Sequence, residues 1–136
     1  MLFLLDSSAM ARWRKPHVAA VLDPLQHDGR LAVCGAVEVE VMRSARSLAD
    51  AERIRTGMHA FAWLATTDEV WDRAVDVQQS CIGRGTWKAL SLADLVIAAV
   101  AERHQATVLH YDGDFDLIAG VTGQPARWVA ARGTAD

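Results

Sequence analysis

Carboxylates are the side chains of this chain whose spacing could do chemistry. The stretch LHYDGDFDLIAG, starting at Leu109, sets Asp112, Asp114 and Asp116 at alternate positions directly after an apolar run. Asp6 follows the apolar opening MLFLL in the same manner. Asp94 lies near the start of SLADLVIAAVAERH, which is otherwise apolar until Glu102, and Glu38 and Glu40 lie within VEVEVM. Carboxylates gathered at one point repel one another, and a divalent cation relieves that repulsion. An all-oxygen set without His or Cys favours Mg2+ or Mn2+ over zinc. Such an ion can deprotonate a bound water and stabilise the charge of an attacked phosphodiester. A calcium loop of the EF-hand kind is excluded. It needs glycine at its sixth position and glutamate at its twelfth, where Leu117 and Gly123 stand. No Ser–His or Cys–His nucleophile pair stands out; His110 reads as a packed strand residue and His104 as a helix C-terminal one.

Each acid also has a structural reading. An Asp after a strand serves as a turn or cap residue, and Asp114 before FDLIAG could start a helix. Ser91-Leu92-Ala93-Asp94 matches a capping box. Glu38 and Glu40 would share one side of a strand, but in a helix they lie about 200° apart, so at most one enters a shared site. Residue types and spacing alone leave the cluster and capping readings open and do not choose between the two glutamates.

The elements that must position these acids alternate along the chain. LFLL reads as a buried strand, RLAVC as a second, ATVLHY as a third and ARWV as the last. HVAAVLDPLQHD has helical spacing, with Pro24 confining its second half to a new turn. DEVWDRAVDVQQSCI carries a helical stripe at Val70, Ala74, Val77 and Cys81, preceded by the cap signals of TTDE. VCGAVEVEVM alternates like a strand, but its continuation MRSARSLADAERIR has helical character. We read a helix there, with Gly35 ending the preceding strand. Alternating strands and helices predict a three-layer α/β/α domain with a central, mainly parallel sheet. Ligands of such sheets bind outside the carboxyl ends of the strands, which is where Asp6 and Asp112 fall.

The 136 residues, 51% apolar and 23% charged, suit one globular domain spanning 1–136. The formal net charge of -3 requires any nucleic-acid partner to meet a local basic patch. Cys34 and Cys81 form no metal pattern and no disulfide scaffold, and read as buried thiols of a reducing compartment. MLFLL is too short for a signal peptide and no run is long enough to span a membrane, so a cytoplasmic location is expected.

FLLDSSAM, then VEVEVMRSAR, then SLADLVIAAVAERHQATVLHYDGDFDLIA resemble the PIN-domain ribonucleases, specifically the VapC-type toxins of toxin–antitoxin pairs. The resemblance covers nearly the whole chain in the right order, and the last block is its most specific part. It implies a PIN-like fold and an acidic quartet at Asp6, Glu40, Asp94 and Asp112. Glu40 rather than Glu38 fits the family's glutamate, which precedes two apolar residues, one variable residue and a small pair. Metal ligands are then implied at Asp6, Asp94 and Asp112, with Asp114 as an outer one. Ser8 falls at the family's polar position beside the first aspartate, where DSS replaces the commoner D-T/S-N. The resemblance further implies an RNA substrate, Mg2+ or Mn2+ as cofactor, a small VapB-type antitoxin, and a homodimer and toxin–antitoxin hetero-oligomer.

Cations must hold RNA at such an acidic mouth. Arg12, Arg14 and Lys15 follow Asp6, and Arg84 and Lys88 lie in GRGTWKALS before Asp94; solvation is the competing role of all five. Trp13 and Trp87 suit base stacking, antitoxin anchoring or the core. Two other functions fit an aspartate-rich α/β chain. An aspartate-based phosphatase or phosphoacceptor domain would need D-x-D after the first strand, or an acidic pair before Asp6 and a late lysine, and neither is present. A non-catalytic PIN-like binding module would not need the full quartet.

Overall fold

The structure is a computed structural model that describes residues 1–136. Five short strands form one sheet: β1 (Phe3–Leu5), β2 (Leu31–Val33), β3 (Ala62–Trp63), β4 (Thr107–His110) and β5 (Ala126–Trp128). Their order is β3-β2-β1-β4-β5 and every pairing is parallel. Parallel neighbours need crossovers, and helices supply them: α1 (Ser7–Met10), α2 (Pro16–His27), α3 (Gly35–Met42), α4 (Leu48–Met58), α5 (Asp68–Gly83), α6 (Leu92–Arg103) and α7 (Asp114–Thr122).

The strand period of two builds both faces of the core. Phe3 and Leu5 point to one side, where they pack with Val18 and Leu22 of α2. Leu4 points to the other, into the larger cluster shared by α3, α5, α6 and α7. The predicted α5 stripe of Val70, Ala74, Val77 and Cys81 is buried residue for residue. In α6 every residue from Asp94 to Ala101 is buried. This agrees with the expected three-layer arrangement, with a sheet wholly parallel rather than mainly so.

Two local expectations need correction, and one strand went unread. Pro24 does not divide its helix; α2 runs unbroken through it. Pro24 and Ala20, whose carbonyl loses a partner, both face solvent, so water can replace the missing bond. The polar stretch after α3 is not a continuous helix: residues 43–47 interrupt it, and the Ser47 hydroxyl caps α4 by accepting the Asp50 N–H at 3.0 Å. The strand β3 was not foreseen. It is two residues long and both are exposed, so it carries no apolar signal. The helical reading of VEVEVM holds. Val37 is buried and Val39 is 67% exposed, so the alternation marks no sheet face.

Candidate active site

The chain winds outward from β1 through β2 to β3, then returns to the other side for β4 and β5. The switch lies between β1 and β4, where Leu5 stands opposite Leu109. Crevices open at such points, beyond the strand ends. Asp6 and Asp112 leave the sheet there, one from each strand.

Asp6 caps α1, its Oδ2 accepting the backbone N–H of Ser8 at 3.0 Å and the Ser8 hydroxyl as well. The Ser8 oxygen accepts in turn from the Tyr111 N–H at 2.9 Å, so this hydroxyl links the ends of β1 and β4. Oδ1 of Asp6 is buried and has no hydrogen-bond partner. Burial raises the Asp6 pKa against the lowering effect of Ser8, and the charges of Glu40 and Asp112 raise it further.

Asp94 sits in the first turn of α6. Its backbone N–H donates to the Ser91 hydroxyl at 3.1 Å, so the capping reading is correct for the serine. Asp94 is only 7% exposed and its carboxyl is turned towards Asp112 and Asp114. One carboxylate oxygen each from Asp94, Asp112 and Asp114 lie within 4.8 Å of one another. Burial pushes the Asp94 pKa up to about 7, with repulsion from Asp112 next and smaller contributions from Asp6 and Asp114. The pKa of Asp114 is also raised, by burial and then by Asp112. Asp112 Oδ1 accepts the Asp114 N–H at 2.9 Å. Asp112 therefore stabilises the start of α7, a role the sequence suggested for Asp114.

Glu40 projects from α3 towards the same mouth. Its Oε1 accepts the Ser7 hydroxyl at 3.0 Å, and its charge acts on Asp6. Glu38 makes no side-chain hydrogen bond. Asp6 and Glu40 lie outside the tight group of Asp94, Asp112 and Asp114; the charge of Asp6 acts on Asp94, and that of Glu40 on Asp6. A cleft of about 370 Å3 beside them is lined by Ser7, Ser8, Glu40 and Ser44 among others. Three neighbouring acids with raised pKa values, an orphaned buried oxygen and an all-oxygen donor set fit a divalent cation.

The cations named from sequence are engaged differently. Arg12 is engaged internally: Nε donates to Ala135 O at 2.9 Å, Nη1 to Ser8 O at 2.8 Å, and the guanidinium lies 4.4 Å from the Tyr111 ring centre. Arg14 is exposed and Lys15 precedes α2, half-buried. Arg84 donates to Gly120 O at 3.0 Å, and Lys88 lies over Trp87. Trp13 donates to Asp23 and packs against Phe61. His110 is fully buried between Phe115 and Trp128, as a packed residue should be. Two residues were missed. Ser7, which holds Glu40, was signalled only by its place after Asp6. Arg132, which lies against Gly113, is distant in sequence from every motif.

A family model described as PIN domain matches residues 3–121. Ribonuclease VapC21 of Mycobacterium tuberculosis is 43% identical over 134 residues, covering 98% of this chain and 97% of its own. Ribonuclease VapC51 of the same organism is 38% identical with the same coverage. Among solved structures, VapBC2 from Rickettsia felis, bound to a DNA fragment from its promoter, superimposes with a TM-score of 0.76. That match covers 94% of this chain and 98% of the other at 13% identity. The chain belongs to the PIN-domain family, in its VapC-type branch.

Proposed function

We propose that this PIN-domain protein is a divalent-metal-dependent endoribonuclease, the toxin of a toxin–antitoxin pair. The observation that carries the reading is the acidic group at the β1/β4 switch point, with Asp94 buried among carboxylates it repels. Its VapC relatives are named ribonucleases, and its structural neighbours include VapBC complexes.

Asp94, Asp112 and Asp114, with Asp6 beside them, are the residues that would hold Mg2+ or Mn2+. The ion would supply a water of lowered pKa and offset charge at the attacked phosphate. The chain does the rest. Ser8 holds Asp6 and ties the two strand ends together. Ser7 fixes one oxygen of Glu40, leaving Oε2 to take the proton of the attacking water. Asp94 carries a proton for part of the time near neutral pH and must release it when a cation binds. Residues 1–136 act as one domain, because both core clusters share the one sheet. The partner is a small VapB-type antitoxin. The apolar cleft of about 360 Å3 formed by Met10, Trp13, Val41, Ile54, Met58 and Phe61 suits a hydrophobic peptide. A homodimer belongs to the same reading, with exposed Val39, Trp71 and Leu92 beside Glu40 as its apolar surface. No helix is long and apolar enough to cross a membrane, and the cytoplasm is the proposed location.

RNA incubated with the purified chain, with Mn2+ or with EDTA, tests this. Internal cleavage in Mn2+ that stops in EDTA, and is lost in Asp94→Asn, is the expected result. RNA binding without cleavage in any metal would favour the non-catalytic module. Release of phosphate from monoesters with intact RNA would favour the phosphatase.

A further inference from the structure

The loop after β5 returns Arg132 to the turn that carries two of the three clustered acids. Gly113 lies between Asp112 and Asp114. A Cβ built on it would stand 3.4 Å from Nη1 of Arg132 and 3.6 Å from both Cζ and Nη2. Those nearly equal distances mean that the guanidinium is presented broadside to the turn. Gly113 has φ -61°, a conformation open to any residue, so its backbone does not require glycine. A Cβ there would make ordinary van der Waals contact with the guanidinium, and only a longer side chain would compete for its place.

A platform holds the arginine there. Its Cζ lies 5.6 Å from the centre of the Trp128 ring, within the range of a cation–π contact. Trp128 is itself fixed: Nε1–H donates to Asp116 at 3.0 Å, and the ring packs against His110 and edge-on against Tyr111. Asp116, exposed on α7, thus anchors the tryptophan under Arg132. The guanidinium forms no ion pair and donates no hydrogen bond within the chain; the ion pairs present are Arg53–Asp50 and Arg73–Glu102. Its fork of donors beside the acidic mouth is free for an anion. Arg12 and Arg84, by contrast, donate to backbone carbonyls.

We propose that Arg132, carried on Trp128 and lying against Gly113, binds a backbone phosphate of the RNA at the mouth of the acidic site. The inference rests on the ribonuclease reading above. An RNA strand must approach a cluster of carboxylates on a chain of net charge -3. A local cation that accepts a phosphate in two-pronged fashion offsets that repulsion. Arg132 is a substrate-binding residue, with no part in the bond-making step.

The test is steady-state cleavage of a short single-stranded RNA by the full chain in Mn2+, over a series of salt concentrations. Arg132→Ala should raise KM about tenfold with kcat nearly unchanged. The slope of log(kcat/KM) against log salt should become shallower by about 0.7, the value for one phosphate on a single strand. Arg132→Lys should fall between, keeping the charge without the fork. Gly113→Leu, which keeps the arginine and takes its place on the turn, should also raise KM. Because Arg132 is exposed, its variants should melt with wild type. An Arg132→Ala protein with unchanged KM and salt slope overturns the inference, as does one that loses only its grip on a protein partner. A wild type that cuts RNA alongside such a variant leaves the ribonuclease reading standing. A wild type that cuts no RNA in any metal overturns both.

Discussion

Asp94→Asn should stabilise the metal-free protein, although it removes a residue placed at the heart of the site. The Asp94 pKa is raised from an ordinary 3.8 to about 7 by burial and by its neighbours' charge. That difference corresponds to roughly 4 kcal/mol against the ionised form. The sign follows from proton binding. Between about pH 4 and 7 the folded chain holds a proton that the unfolded chain has lost, so stability falls as pH rises through this window. Asn keeps the shape of the side chain, and the backbone N–H to Ser91 is untouched. In EDTA at pH 8 the variant should therefore be more stable by about 2–4 kcal/mol, or about 10 °C in melting temperature. Near pH 4, where Asp94 is protonated in the folded chain and only about half ionised in the unfolded one, most of the gain should vanish. Mn2+ at a hundredfold excess over its Kd should then stabilise the wild type by about 2.7 kcal/mol and the variant far less. Urea titrations at the two pH values, with EDTA and with Mn2+, measure all four quantities. A variant no more stable than wild type at pH 8 in EDTA, or equally stabilised at both pH values, would refute the argument that crowded charge dominates this position.

Three further outcomes follow from the geometry. Glu40→Gln should abolish RNA cleavage and Glu38→Gln should leave it intact; Ser7→Ala, which frees the Glu40 carboxylate, should lower kcat partially. The reverse order for the glutamates would mean that α3 presents the wrong face. Among the three aspartates of the opening stretch, Asp112→Asn should lose activity by orders of magnitude and Asp114→Asn less. Asp116→Asn should stay near wild type, since an amide oxygen can still accept from Trp128; equal losses at all three would favour a single ion loop. Leu4→Ala, at a fully buried position in the central strand, should cost about 2–5 kcal/mol by chemical denaturation.

Legibility followed burial. The α5 stripe and the apolar α6 were readable because each buries a face against the sheet, and hydrophobic spacing records that directly. The end of β4 was readable because an apolar run stops at Asp112. What escaped was set by partners distant in the chain. Pro24 stayed inside α2 because its carbonyl partner faces water, which the local pattern does not register. The two-residue β3 has no buried side chain to announce it. Glu38 and Glu40 are alike in composition and spacing, and only the Ser7 hydroxyl and the proximity of Asp6 separate them in three dimensions. Arg132 could not have been found from its neighbours, since its meaning comes from Gly113 and Trp128.

The chain contains its own control for reading an acid at a helix start. Ser47-Leu48-Ala49-Asp50 and Ser91-Leu92-Ala93-Asp94 are the same four residues, and each serine accepts the N–H of the aspartate three positions on. Yet the two carboxyls are driven in opposite directions. Asp50 reaches back to accept the Arg46 N–H at 2.9 Å and pairs with Arg53, and its pKa is lowered. That differs from a capping box only in reaching the N–H one residue before the cap, and the helix dipole favours it. Asp94 receives the same help from the N-terminus of α6, which amounts to about 0.3–1 kcal/mol. Burial and the charges of Asp112, Asp6 and Asp114 oppose it by roughly 4 kcal/mol and prevail. A sequence serving only to start a helix has no reason to turn this carboxyl into the core beside three others. The identical motif at Asp50 shows what capping alone looks like, and the excess at Asp94 is what a bound cation would offset.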